Sequence, residues 1–305
     1  MLHDTIHHSG KGLVFYSLTP PKITTDQDRV ISIAHKQIER LKGIPLDGLL
    51  LYDIQDESAR TDEERTYKFV PTISPEHYAK NHLAALSIPK IVYKSISNLT
   101  QKQFHDWLLA NQSLEYAVFV GASSSSQTEL TKFALNDAYA LKKKDAPNIV
   151  LGGVTIPERH TKRGNEHLRI FDKIDSGCKF FVSQCVYSLN DTKNLLSDYY
   201  YTALENSREM CPIVFTLTPC GSLKTLKFME WLGIEVPKWL YNDLKHSKDI
   251  LASSVETCKN IALEIIEFAE NKKMPIGFNI ESVSIRKDEI DASDELLKEI
   301  LKMMK

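Results

Sequence analysis

The amino-acid sequence predicts an α/β protein built as a (β/α)8 TIM barrel with an extra helix before strand 8. Short runs rich in β-branched and aromatic residues alternate along the chain with longer stretches of helical periodicity. The alternation occurs eight times, which is the number of strand–helix units that closes a parallel barrel. No Pro-, Gly- or Ser-rich linker separates the units, so we expect a single domain over residues 1–305. A doubly wound open sheet is the competing architecture.

The first half of the chain contains four strand-like runs with a helical stretch after each. The runs are 12–18, 47–54, 90–93 and 116–121, and the helical stretches are 25–42, one that begins at Ser74, 100–111 and 127–143. Pro20 and Pro21 close the first run. Ser74 before Pro75 is typical of a helix start, with serine as the N-cap and proline at the first helical position.

The second half repeats the pattern four times. The strand-like runs are 148–156, 179–187, 212–217 and 275–280, and the helical stretches after them are 163–176, 190–206, 223–231 and 288–304. Two further stretches, 237–246 and 249–272, precede the last run and account for the extra helix. Because parallel strands need crossover connections, a helix between successive strands predicts parallel pairing.

Composition excludes several classes of protein. The 38 basic and 40 acidic side chains nearly cancel, which argues against a nucleic-acid binder that works through bulk charge. The polar start has no apolar signal region and no window resembles a membrane span, so we expect a cytoplasmic protein without a membrane partner. Five scattered cysteines lack CxxC spacing, so we expect reduced thiols and no metal site.

Carboxylates follow two of the predicted strands, at the end where TIM barrels place their active sites. Asp53 and Glu57 lie in a long, charge-dense loop after the second strand, and Glu281 follows the eighth. Such groups could serve as general acid or base. The alternatives are a solvated charged loop around Asp53 and, for Glu281, a salt bridge to a nearby cation such as Arg286.

Two other segments could hold an anion. Residues 121–126 place four serines before a helix, where N–H groups and hydroxyls could bind phosphate, although plain N-capping explains them equally well. Residues 157–163 contain four potential cations, which could bind a pyrophosphate or form a charged surface loop. Gln184 is a polar residue in an apolar strand and must find hydrogen-bond partners. The residues alone therefore indicate a barrel enzyme with an anionic ligand.

Three runs in the middle of the chain resemble the methylenetetrahydrofolate reductase family. Residues 153–160, 173–177 and 180–187 are similar to the family's G-V-x-x-Y-P-E-x-H, K-V-D-A-G and T-Q-F-F-F-D runs. The opening segment 15–22 also resembles F-E-F-F-P-P-K. The resemblance covers most of the chain, is strongest from about 150 to 240, and implies a (β/α)8 barrel.

The resemblance implies a flavoenzyme that passes hydride from NAD(P)H through FAD to a folate that carries a one-carbon group. The positions that match the family's cofactor contacts are His160, Glu166 and Lys173, with Ile156 at the family's tyrosine. The positions that match its substrate contacts are Gln184, at the glutamine that binds the pterin, and Leu223, where the family often has phenylalanine.

The sequence departs from the family where the chemistry is most specific. The family's strand-1 glutamate, its presumed proton donor, aligns with Ser17, which we place near the substrate but which cannot supply a comparably acidic proton. The family's L-R-G-D run aligns with residues 119–122, which lack both the arginine and the aspartate. We therefore expect Asp53, Glu57 or Glu281 to provide the missing acid.

Two functions from different classes remain open. The first is a divergent FAD-dependent reductase that acts on a folate-type carrier. The second is a flavin-free barrel that binds a folate or another anionic ligand as a transferase, a non-redox enzyme or a non-catalytic partner, which the lost family residues favour. In either case the expected partner is a small molecule rather than a nucleic acid or a membrane, and association into a homo-oligomer stays open.

Overall fold

The computed structural model describes Leu2, Ile6 and residues 12–56, 65–121 and 133–304. Its eight strands form a closed barrel in the order β1 to β8. The strands are β1 Leu13–Leu18, β2 Gly48–Leu51, β3 Lys90–Ser95, β4 Tyr116–Val120, β5 Val150–Thr155, β6 Cys178–Cys185, β7 Ile213–Leu217 and β8 Ile276–Ile280. The predicted fold class is confirmed.

Helices follow the strands as the sequence predicts. Those over the described residues are α1 Gln27–Leu41, α2 Pro75–His82, α3 Gln101–Ala110, α4 Leu135–Asp145, α5 Pro157–Arg163, α6 Glu166–Asp175, α7 Leu189–Glu205, α8 Leu223–Trp231, α9 Lys238–His246, α10 Ile250–Glu270 and α11 Lys287–Met304. Helices α9 and α10 are the two stretches predicted before β8. No helix in the described part of the chain is long and apolar enough to cross a membrane.

One helix was not predicted. Residues 157–163, expected as a charged loop, form α5, with Pro157 in its first turn and Gly164 at its end with φ 67°. Proline suits the first turn of a helix, and glycine adopts a positive φ without strain, so Pro157 and Gly164 are typical of a helix start and a helix end. The many charged residues between them favoured the interpretation as a loop. The serine-rich residues 122–126 and the loop residue Glu57 lie outside the described residues.

The chain divides into two compact units, and the expectation of one domain over 1–305 stays a prediction. Unit 1 comprises Met1–Tyr16, Gly153–Asp175 and Lys179–Lys305, and unit 2 comprises Ser17–Gly152 and Ser176–Cys178. In unit 2, β2, β3 and β4 pair in parallel, and β4 pairs with the start of β5. Its core includes an edge-to-face contact between Phe104 of α3 and Phe119 of β4, whose ring centroids are 5.0 Å apart.

In unit 1, β6, β7, β8 and β1 pair in parallel. The β8–β1 pair is unusually close at Gly277, where an added Cβ would lie 2.4 Å from the backbone oxygen of Leu13. The β6–β7 register shifts between Val182 and Cys185, so the ladder is irregular where β6 ends. A shift of this kind re-aims the side chains at a strand end.

Candidate functional site

The ends of β6 and β8 bring a thiol and a carboxylate together in unit 1. Cys185 is the last residue of β6 and Glu281 follows β8, and the Cys185 thiol donates to Glu281 Oε1 at 2.9 Å. The Glu281 backbone N–H donates to the Leu217 carbonyl at the end of β7, which holds the carboxylate in place. Alternate strands of a barrel contribute side chains to the same interior layer, so β6 and β8 can meet across β7.

Buried polar residues of β6, β7 and β8 lie just before this pair along the strands and hydrogen-bond to one another. Thr216 of β7 donates two hydrogen bonds to Ser183 of β6. Its N–H donates to Ser183 Oγ at 3.0 Å, and its hydroxyl donates to the Ser183 carbonyl at 2.7 Å. Asn279 of β8 donates to Thr216 Oγ1 at 3.2 Å. These bonds replace regular ladder contacts at the register shift and fix the end of β6.

Cys185 is unsuited to act as a nucleophile. Burial raises the pKa of its thiol well above the ordinary value, and the neighbouring Glu281 carboxylate raises the pKa further. Only the thiolate is strongly nucleophilic, so Cys185 stays a neutral hydrogen-bond donor near neutral pH. The sequence predicts Glu281 at this strand end but not its partner, because Cys185 is 96 positions away in the chain.

A second carboxyl in unit 1, Glu158, was missed. It lies in the first turn of α5, directly after β5, and is 4% exposed. Neither of its carboxyl oxygens has a hydrogen-bond partner in another described residue. Burial raises the pKa of Glu158 to about 8, and the nearby Asp191 and Glu235 raise it further, whereas a hydrogen bond from its own backbone N–H and the charge of Lys162 lower it. Glu158 is therefore a neutral carboxylic acid at neutral pH.

Glu166, a predicted cofactor contact, is bound by groups of its own chain. Its buried carboxylate accepts two hydrogen bonds from the Arg159 guanidinium, both at 2.6 Å. It also accepts from the Thr155 hydroxyl at 3.2 Å and from the backbone N–H of Ile156 at 3.1 Å. These contacts tie the start of α6 to the end of β5. The cofactor roles assigned to Glu166 and Ile156 stay predictions.

The other two predicted cofactor residues also contact their own chain. His160 Nε2 lies 3.1 Å from Asp198 Oδ2 of α7, and the ring of His167 packs edge-on against the His160 ring with centroids 5.1 Å apart. We interpret this grouping as a tie between helices, and the expected absence of a metal stays a prediction. Lys173 Nζ donates to the carbonyl of Val154 in β5.

The cations of residues 157–163 are largely compensated. Besides the Arg159–Glu166 pair, Lys162 contacts Glu235 and His160 contacts Asp198. A pyrophosphate would have to compete with these acids for the same cations. The charged side chains of this segment thus hold α5 against α6, α7 and the residues after α8.

The predicted substrate residues of unit 1 lie beside α8. Gln184 is half-buried, and its amide donates to the Leu232 carbonyl just after α8 at 3.1 Å. Leu223 is the first residue of α8 and is 45% exposed, and the substrate roles of Gln184 and Leu223 stay predictions. The N-cap of this helix is Ser222, whose hydroxyl accepts from the Thr225 N–H at 3.1 Å.

Unit 2 holds a separate polar group at the ends of β2 and β3. Asp53 accepts from the Ser95 N–H at 2.9 Å and from the Gln55 amide at 2.8 Å, and lies 3.7 Å from Lys94 Nζ. Burial raises the Asp53 pKa, while Lys94 opposes that rise. Asp53 is thus a carboxylate held by three neighbouring groups, and its catalytic role stays a prediction.

Ser17, the other predicted site residue of unit 2, lies in β1. Its hydroxyl donates to the Tyr52 hydroxyl at 3.0 Å, and the Tyr52 ring packs edge-on against Tyr93 with centroids 4.9 Å apart. This end of unit 2 therefore combines aromatic surface with hydroxyl groups. Asp53 and Glu281 belong to different units, and Glu57 lies outside the described residues.

Comparison with known proteins finds a strong relative. An uncharacterized protein from Clostridium thermocellum, described as binding two copies of 5-methyl-5,6,7,8-tetrahydrofolic acid, is 44% identical over 100% of both chains, with a TM-score of 0.88. No family model and no curated protein matches the chain.

Two distant structures share the fold alone. Tryptophan synthase from M. tuberculosis is 7% identical, with a TM-score of 0.50 over 99% of this chain and 96% of that one. The spore cortex-lytic enzyme SleL from Bacillus cereus is 9% identical, with a TM-score of 0.51 over 94% of this chain and 74% of that one.

Proposed function

This chain belongs to the family of the Clostridium thermocellum protein, and from that premise we propose that it binds a reduced folate, 5-methyltetrahydrofolate first of all, without a bound flavin. The observation that carries the proposal is the 44% identity along the whole of both chains. The resemblance of residues 153–160, 173–177 and 180–187 to a folate-reducing family suggests the same class of ligand.

The chemistry of unit 1 suits a pterin ring. A pterin presents N–H donors and carbonyl or ring-nitrogen acceptors side by side, and a site for it needs a few well-placed polar groups. Glu158 offers a neutral carboxyl, and Glu281 offers a carboxylate already oriented by Cys185. Leu223 adds exposed apolar surface at the start of α8.

Several residues support the flavin-free form of the proposal. Glu166 and Lys173, which the family resemblance assigns to the cofactor, are engaged by Arg159 and by the Val154 carbonyl. The aromatic residue of the family's run is an isoleucine at position 156. A flavin diphosphate would therefore need to displace existing ion pairs to gain cations.

The second candidate is a divergent methylenetetrahydrofolate reductase that uses FAD and NAD(P)H. It is favoured by the motif runs between residues 153 and 187, which include the matching residues Pro157 and His160 on either side of Glu158. In that case Glu281 or Asp53 would have to supply the acid that Ser17 cannot. The oxidoreductase activity depends on FAD uptake, which separates the two candidates.

Isothermal titration of tag-free protein with 5-methyltetrahydrofolate, beside an absorption spectrum taken after incubation with FAD, tests the proposal. We expect saturable binding of the folate and no flavin absorbance in the protein fraction after desalting. Absence of folate binding would overturn the proposal. Retention of FAD together with oxidation of NAD(P)H would replace it with the reductase.

A further inference from the structure

Glu158 has no explained role in the fold. Its side chain lies at the carboxyl end of β5, where barrels place ligand contacts, and it is 4% exposed. Both carboxyl oxygens lack a partner in any other described residue, whereas the nearby Glu166 carboxylate is fully engaged. Buried polar groups in folded proteins are nearly always paired, so a buried carboxyl that receives a hydrogen bond only from its own backbone N–H points to a ligand at this position.

The groups around Glu158 favour its neutral form. Asp191 in the first turn of α7 and Glu235 after α8 are acidic, and Lys162 on α5 is the opposing cation. The Cys185 thiol of β6 is close enough for Glu158 to influence its titration. Burial is the largest effect and raises the pKa of Glu158, whereas a hydrogen bond from its own backbone N–H and the charge of Lys162 lower the pKa. The net result is a raised pKa.

We propose that Glu158 recognises the ligand as a neutral carboxylic acid, pairing its O–H and C=O with the adjacent C=O and N–H of the pterin ring. This inference rests on the proposed folate binding and identifies the residue that recognises the pterin ring. A neutral acid presents one donor and one acceptor side by side, which matches the amide edge of a pterin. On this edge an ionised carboxylate, which has only acceptors, would place one oxygen against the ring carbonyl.

Two substitutions at Glu158 separate this role from a structural one. Glu158→Gln keeps a donor and an acceptor in nearly the same shape at every pH. Glu158→Leu keeps the volume and removes both. Glu115→Gln is the matched control, because Glu115 lies directly before β4, at the end of the strand opposite to that used by barrel active sites.

The readout is the dissociation constant for 5-methyltetrahydrofolate at pH 6.5, 7.5 and 9. For the native chain and Glu115→Gln, we expect affinity to fall by about tenfold between pH 7.5 and 9, since Glu158 ionises near pH 8. Glu158→Gln should bind with an affinity that does not change over this range. Glu158→Leu should bind about tenfold or more weakly at pH 6.5.

The outcomes distinguish this inference from the proposed function. If the native chain binds no folate at any pH, both fall. If the native chain binds, and Glu158→Leu binds equally well with the same dependence on pH, the role of Glu158 is wrong while folate binding stands. Should Glu158→Leu fail to fold by circular dichroism, the pH profile of Glu158→Gln decides alone: a profile that parallels the native one overturns the inference.

Discussion

Three glutamates of unit 1 show how surroundings give one residue type three chemical characters. Glu166 forms an ion pair with Arg159, Glu281 accepts a hydrogen bond from a thiol, and burial raises the pKa of Glu158 so that it is mostly neutral at pH 7. Enzymes and binding proteins separate acids from bases by this route. None of these differences is visible in sequence, because each depends on residues brought in from other strands or helices.

Glu158 should make the stability of the protein depend on pH. Its folded pKa is about 8, above the ordinary value of 4.5, so the folded state keeps a proton that the unfolded state loses as pH rises between these values. The free energy of unfolding of the native chain should therefore decrease as pH rises from 4.5 to 8. Relative to the native chain, Glu158→Gln should become more stable between pH 5 and 8.5, by on the order of 3 kcal/mol. Urea unfolding of both proteins at pH 5 and 8.5 measures this. Parallel stability profiles would contradict it.

The Arg159–Glu166 pair should contribute strongly to stability. Because the Glu166 carboxylate is fully buried, Glu166→Gln would leave the guanidinium without its counter-charge and should cost about 3 kcal/mol in urea unfolding. Lys302→Gln, which breaks an exposed pair with Glu299, is the control and should cost about 0.5 kcal/mol or less. Equal losses of unfolding free energy in the two variants would contradict a stabilising buried ion pair between Arg159 and Glu166.

At the scale of elements, most strands and helices were predictable because their signals are local. Apolar runs bounded by turn residues gave β1 to β8 within a few residues, and Ser74-Pro75 correctly marked the start of α2. Helix α5 was missed, since its charged residues show no apolar face and its stability comes from pairs with α6 and α7. The shift in β6 was also unpredictable, because it depends on Ser183 and Thr216 together.

The close approach of β8 to β1 gives a prediction at this scale. Gly277→Ala would place a methyl group 2.4 Å from the backbone oxygen of Leu13, so the strands must separate. We expect a loss of about 2 kcal/mol or more in unfolding free energy. Gly121→Ala is the control, since its nearest new contact would be 3.7 Å away. A Gly277→Ala protein as stable as this control would contradict the β8–β1 packing.

At the scale of the whole molecule, the fold class followed from counting strand–helix units, and the closed eight-stranded barrel confirms it. A folate ligand was predicted from motif runs similar to those of a folate-reducing family, and the Clostridium thermocellum relative is described as binding a folate. The redox part has less support. It depends on residues such as Lys173 being free for a flavin, and the structure gives Lys173 a partner within the chain.

The measurement that tests the central claim most directly is native mass spectrometry of the full chain incubated with 5-methyltetrahydrofolate and FAD together. The account predicts mass increments that match the folate and none that match FAD. An FAD adduct without a folate adduct would contradict the account and identify the barrel as a flavoprotein.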